Sequence, residues 1–203
     1  MTREGDGRAP TGWVIFDYGE VISRRTEAIP ELAACLDVPR AEFEPAYWAQ
    51  RDVYDRGCSD LDYWRAIGDA LGVRVDEATS AELTEIDIAG WAPTEEATLE
   101  LLDSLSAAGA RLALLSNAPS SFARFAERQP WAGHFRELLF SGDVGIAKPD
   151  KAIFAMLLDR LEADPADCFF LDDRQYNVDG ARAAGLRAER WLGVEAARRH
   201  LPL

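Results

Sequence analysis

The chain is poor in several residue types, and each shortage excludes something. Its 203 residues include three cysteines, two histidines and two lysines. The cysteines, Cys35, Cys58 and Cys168, are odd in number and scattered, with no C-x-x-C pair. That excludes a disulfide framework and leaves reduced thiols, with the cytoplasm as the expected location. No apolar stretch approaches the roughly 20 residues that span a bilayer, so no membrane segment is expected. Basic residues number 22 against 36 acidic ones, a net charge of −14. Nucleic acid and anionic lipid surfaces both need a basic face and are therefore not expected partners. Residues 1–12, MTREGDGRAPTG, lack the apolar core of a secretory leader and read as a disordered arm. No internal repeat or low-complexity tract stands out.

What is present is an ordinary globular composition, 48% hydrophobic and 29% charged. Short apolar runs recur at 13–16, 111–115, 137–140, 168–171 and 186–191, each followed by a turn. Runs of this length without strict alternation suit strands buried on both faces. Helical periodicity between them, at 94–108, 120–127, 151–161 and 176–184, predicts an α/β fold: a doubly wound, Rossmann-like parallel sheet. One interval breaks the rhythm. From about residue 26 to 90 only helical patterns occur (29–36, 41–56, 61–71, 78–88), with Ser59 and Asp62 spaced like an N-terminal capping pair. Such a block is too long for a simple crossover and reads as an inserted α-helical cap. The expected division is a core of 13–23 and 92–203 with a cap of 24–91. In open parallel sheets ligands bind beyond the carboxyl ends of the strands, which a lid inserted after the first strand would cover.

Four strand ends carry chemistry. The first, FDYGEVIS, delivers Asp17, which alone reads as a loop acid and in context as a carboxylate nucleophile. The second, LLSN, supplies Ser116 and Asn117, helix N-cap candidates that also suit a phosphate cradle. The third, GIAKPDKAIF, brings Lys148 ahead of Pro149, which favours the first helical position. An ammonium there can neutralise a phosphoryl group or crowded carboxylates. The fourth, FLDDRQYNVDGA, sets Asp172 and Asp173 at a strand tip, where an oxygen-rich set suits Mg²⁺.

These four segments, in this order, resemble the motifs of the haloacid dehalogenase-like hydrolases over roughly residues 13 to 191. The subgroup most similar is typified by the N-terminal phosphatase domain of soluble epoxide hydrolase and by certain sugar-phosphate phosphatases, which carry a small helical cap. The resemblance implies that Asp17 attacks phosphorus and becomes an aspartyl-phosphate. Ser116 and Asn117 would hold phosphoryl oxygens, and Lys148 would stabilise developing charge. Asp17, Asp173 and the Gly19 carbonyl would bind Mg²⁺. Asp172 would bind the ion through water or orient Lys148, and Asn177 falls where the family places a supporting polar residue. The chemistry implied is in-line phosphoryl transfer.

The chain departs from the family at Gly19, where most of its phosphatases have an aspartate that protonates the leaving group. Three expectations follow: a substrate with a good leaving group, a neighbouring substitute acid (Glu20, or more weakly Tyr18), or a domain that only binds phosphorylated ligands. Haloacid dehalogenases share the nucleophile, the serine–asparagine pair and the lysine, but typically lack the paired acids of FLDD. Within the cap, Trp48 and Arg51 are candidate substrate contacts, although Arg51 is also spaced to pair with Asp55. The expected function is a Mg²⁺-dependent phosphomonoester hydrolase acting on a small phosphorylated metabolite, sugar phosphates among them. The alternatives are a catalytically weak phospho-ligand binding module and, further off, a 2-haloacid dehalogenase.

Overall fold

The structure is a computed structural model in which residues 12–201 and 203 are described. The segment read as a disordered arm lies, apart from Gly12, outside the described residues. The elements run in chain order as β1 (Trp13–Phe16), α1 (Ile29–Cys35), α2 (Arg40–Asp55), α3 (Asp60–Leu71), α4 (Glu77–Trp91), α5 (Glu96–Ala107), β2 (Arg111–Ser116), α6 (Ser120–Ala126), β3 (Glu137–Phe140), α7 (Ser141–Val144), α8 (Lys151–Leu161), β4 (Cys168–Asp172), α9 (Gln175–Ala183), β5 (Arg187–Arg190) and α10 (Val194–Ala197). Short 3₁₀ turns precede β3 and β4 and follow α10.

The five strands form one parallel sheet in the order β3-β2-β1-β4-β5. This is the doubly wound, Rossmann-like arrangement expected from the alternating runs. β1 is central and buried on both faces, which its sequence WVIF allows. Val14 and Phe16 point to one side with Leu112, Leu114 and Leu171, under α5 and α6. Trp13 and Ile15 point to the other with Leu115 and Phe170, under α8 and α9. Burial of side chains such as Ile15 and Phe16 stabilises the fold by about 1.5–3 kcal/mol each. The chain winds from β1 outward through β2 to β3 and then crosses back to β4 beside β1. The order therefore reverses at β1, and a crevice opens there at the carboxyl ends.

Helices α1–α4 pack on one another around their own apolar cluster, which includes Phe43, Tyr47, Tyr63, Trp64 and Leu83. Ser59 caps α3 as its spacing suggested: its hydroxyl accepts the Asp62 N–H and donates to the Asp62 carboxylate. The helical unit meets the sheet end at a tight seam. Gly57, just past α2, has φ +94°, and a Cβ there would lie 2.7 Å from the Gly142 carbonyl oxygen. Across the same seam the Ser141 hydroxyl donates to the Asp55 carbonyl, and Arg56 pairs with Asp150 at 2.6 Å.

Several local expectations are corrected. Pro149 is not the first residue of a helix: α8 begins at Lys151 with Asp150 as its N-cap. Ser116 and Asn117 do not cap α6, which starts at Ser120 after Pro119. Asp172 is the last residue of β4 and Asp173 follows it, at the strand tip as read, ahead of α9, which starts at Gln175. Ser116 and Asp172 end their strands, while Asn117, Pro149 and Asp173 sit in the links that lead to the next helix; of these, Ser116, Asn117, Pro149 and Asp173 line the crevice. Helix α4 also runs on from the expected 88 to Trp91.

Candidate active site

Parallel register brings the acids together. Phe16 pairs with Leu171, so the residues that follow, Asp17 and Asp172, emerge side by side, and the Asp17 N–H donates to the Leu171 carbonyl at 2.9 Å. Lys148 comes from the link before α8 and is 2% exposed. Its Nζ donates to Asp17 Oδ1 (2.7 Å), Asp172 Oδ2 (2.7 Å) and the Leu115 carbonyl (2.8 Å). Three acceptors match the three ammonium protons. The Leu115 bond ties the charge to the end of β2 and fixes its position between the two carboxylates.

Asp172 is fully buried. Besides Lys148 it accepts the Arg174 N–H at 2.8 Å and both oxygens take a bond from Asn177 Nδ2 at 3.0 Å. With its oxygens engaged by Lys148, Arg174 and Asn177, Asp172 orients Lys148. Asp173 is half-buried, and one oxygen each of Asp17, Asp172 and Asp173 lies within 4.8 Å of the others. Burial raises the Asp17 carboxyl to about 7, with Lys148 pulling it down and Asp172 and Asp173 pushing it further up. Burial also works against the Lys148 ammonium, but Asp17 and Asp172 outweigh it and leave its pKa above the usual value. Burial and the Asp172 charge raise Asp173 as well.

The donor set fits a divalent cation. Three carboxylates face one ammonium in a buried place, all hard oxygen donors. The buried Asn177 Oδ1 beside them has no partner among the described residues, which suits a water of a hydrated ion. The Gly19 carbonyl likewise receives no N–H among the described residues, whereas the Tyr18 carbonyl receives three.

Asp17, Gly19, Lys148, Asp173 and Asn177 line a crevice of about 420 Å³ with Ser116, Glu20, Trp48, Arg51, Asp55, Trp91 and Arg174. The Ser116 hydroxyl has no partner among the described residues. Asn177 sits behind Asp172, to which its Nδ2 donates. Asn117, read as a phosphate ligand, is bound elsewhere through its side chain: its Nδ2 donates to the Lys148 carbonyl (2.9 Å) and its Oδ1 accepts the Lys148 N–H (2.8 Å). It clamps the segment that presents Lys148. Tyr18 is withdrawn as a substitute acid: its hydroxyl donates to the Trp91 carbonyl at 2.8 Å, and burial raises its pKa. Glu20 is exposed, at φ 54°, close enough to Asp173 to raise its pKa.

Trp48 and Arg51 both reach the crevice from α2, and Arg51 is at the same time part of the packing of the helical unit. Its Nε donates to Asp55 (2.9 Å), and its Nη1 donates to the Tyr47 hydroxyl (2.7 Å) and Asp87 (3.1 Å). Trp91, Asp55 and Arg174 were not singled out as site residues from the sequence. The Trp48/Arg51/Asp55 spacing on one helix held a signal for Asp55, and adjacency to the paired acids held one for Arg174. Trp91 had none, because its place depends on where α4 ends.

The fold and this site define a hydrolase. The chain belongs to the haloacid dehalogenase-like hydrolases, whose family description matches residues 13–185. It is 42% identical over 84 residues to a phosphoserine phosphatase of Thermus thermophilus, covering 39% of this chain and 33% of that protein. It is 25% identical over 194 residues to (S)-2-haloacid dehalogenase 1 of a Pseudomonas species, covering 87% of this chain and 82% of that one. A haloacid dehalogenase-like enzyme of Bacteroides thetaiotaomicron, solved in complex with magnesium and inorganic phosphate, superposes with a TM-score of 0.71 at 18% identity, covering 88% of this chain and 93% of that one. The chain thus matches only a third of the length of the phosphoserine phosphatase.

Proposed function

We propose that this hydrolase is a Mg²⁺-dependent phosphomonoesterase that works through an aspartyl-phosphate on Asp17, with a small phosphorylated metabolite as substrate. The observation that carries the reading is the buried Asp17–Lys148–Asp172 bridge with Asp173 beside it, an oxygen-rich site with excess negative charge. Asp17, Asp173 and the Gly19 carbonyl would hold the ion, which supplies neutralisation of the phosphoryl oxygens. Asp17 attacks phosphorus, and Lys148 holds the attacking carboxylate in place and offsets charge as it develops. Ser116 Oγ and the loop N–H groups beside it receive phosphoryl oxygens. Asn117 keeps Lys148 in register, and Asn177 and Asp172 steady it from behind. Residues 24–91 act as a cap, with Trp48, Arg51 and Trp91 over the leaving group. The magnesium and phosphate of the Bacteroides enzyme and the phosphatase relative support the same reading.

Hydrolysis of 4-nitrophenyl phosphate with and without EDTA tests it. Activity is expected with Mg²⁺, falling at least about 10³-fold in EDTA and in Asp17→Asn. Activity that resists both excludes the mechanism. The absent acid at Gly19 favours a second reading, a phospho-ligand binding module, which predicts phosphate binding without turnover. Halide release from 2-chloropropionate would instead align the chain with the dehalogenase relative.

A further inference from the structure

Nothing in the backbone forces a glycine at position 19. Its φ is not in the left-handed region, and a Cβ there would meet only the Trp91 ring, at 3.9 Å. The missing acid is therefore a chemical difference with no steric cause. A proton donor that serves the leaving group must sit in the crevice, have an oxygen open to it, and be dry enough to stay protonated. Among the described residues five acids line the crevice: Asp17, Glu20, Asp52, Asp55 and Asp173. Asp17 and Asp173 belong to the nucleophile and cation set. Glu20 is exposed. The Asp52 side chain is 73% exposed and both its oxygens accept from Arg56.

Asp55 differs from all of these. It is the last residue of α2, and its side chain is 14% exposed. Its backbone carbonyl is bound by the Ser141 hydroxyl, which also accepts the Ala118 N–H just past β2. The residue is thus fastened above the end of β2. Its Oδ1 accepts Arg51 Nε at 2.9 Å, and Oδ2 has neither a partner nor full burial among the described residues, so it opens on the crevice. Arg51 serves two acids. Asp87 of α4 accepts from both Arg51 Nη1 and the Tyr47 hydroxyl, while among the described residues Asp55 accepts from Arg51 alone. The less supported acid of such a pair is the one that takes a proton, the more so when a phosphate dianion enters.

We propose that Asp55 is the general acid and base of the reaction, in place of the residue absent at position 19. As the bond between phosphorus and the leaving oxygen breaks and Asp17 Oδ bonds to phosphorus, the Asp55 proton passes to that oxygen. Water then attacks phosphorus from the vacated side, gives its proton to Asp55, and releases Asp17. The inference rests on the phosphatase reading. The groups facing Asp55 are consistent with it. Burial raises its carboxyl to about 6; Arg51 opposes this, Asp87 from α4 adds to it, and Arg174 from the link after β4 opposes it. Tyr63 from α3 is close enough that Asp55 raises its pKa.

The test compares nitrophenolate, which leaves without a proton, with an alkoxide, which does not. Asp55→Asn keeps an acceptor for Arg51. With Mg²⁺ and 4-nitrophenyl phosphate it is expected to release one equivalent per site in a burst, then turn over about 10²–10⁴-fold more slowly than wild type. On glycerol phosphate it shows no burst. Gly19→Asp in the same background restores turnover, and Glu20→Gln does not reproduce the burst followed by slow turnover. In wild type, turnover of glycerol phosphate falls with a one-proton limb as pH rises past about 6, a measurement that needs no variant. Unaltered turnover in Asp55→Asn, slowing without a burst that Gly19→Asp does not relieve, or a flat pH profile overturns the proposal and leaves the phosphatase reading standing. A wild-type protein inert toward both esters with Mg²⁺ overturns both.

Discussion

At the residue scale the site is governed by charge count: Asp17, Asp172 and Asp173 against Lys148. Asp17 keeps its proton up to about 7 in the folded chain against 3.8 as the ordinary value. The native state therefore binds an extra proton between those limits. The stability this contributes is fully present below 3.8 and is lost as pH rises to 7. Lys148 offsets nothing in that window, because both its states are charged there. Metal-free protein is expected to melt at a higher temperature at pH 5 than at pH 7.5. Mg²⁺ should raise the melting temperature more at pH 7.5, where Asp17 need not lose a proton to bind it. Equal increments at the two pH values, read by differential scanning calorimetry with EDTA as control, would exclude Asp17 as a ligand.

At the scale of elements, caps and clamps separate stability from catalysis. Ser59→Ala removes the N-cap of α3, a helix none of whose residues lines the crevice. It is expected to lower unfolding free energy by about 1 kcal/mol in a urea titration and to leave kcat unchanged. Asn117→Ala releases the segment that presents Lys148. It should lower kcat by about 10-fold or more while KM moves little, as steady-state assays would show. The roles of these two residues were not equally visible in advance. Ser59 and Asp62 sit three apart, so local spacing is enough to read the cap. Strands β1 to β4 were legible for a similar reason: each carries a short apolar run (WVIF, LALL, LLF and CFFL) followed by a polar residue, and the order of those endings marked the crevice. Asn117 was read as a phosphate ligand because its side-chain bonds go to Lys148, 31 residues away, and no local pattern encodes them. Trp91 was overlooked as a site residue on the same ground, since its place depends on how the helical unit lies over the sheet, whereas the Arg51–Asp55 spacing did carry a signal for Asp55, read there as packing.

At the scale of the molecule, the seam between helical unit and sheet is set by backbone contact at Gly57 and Gly142. Gly57→Ala adds a methyl 2.7 Å from a carbonyl oxygen at a positive φ. The two parts must separate there, moving Asp55 and Arg51 away from the strand ends. The expected result is a rise in KM together with a stability loss of about 1–2 kcal/mol, seen in steady-state kinetics and urea unfolding of the same variant. A rise in neither would mean that the seam adjusts without disturbing the crevice.

The hydrogen bonding of Lys148 has a further consequence, for chemical labelling. The free, deprotonated amine attacks an acylating reagent, and this one is buried as an ammonium with all three protons committed. The other lysine, Lys151, is exposed at the start of α8. Among lysine side chains, the folded protein should therefore acylate at Lys151 alone. Lys148 should become reactive only when the sheet ends come apart, so its peptide, followed by mass spectrometry along a denaturant series, reports the opening of this crevice itself.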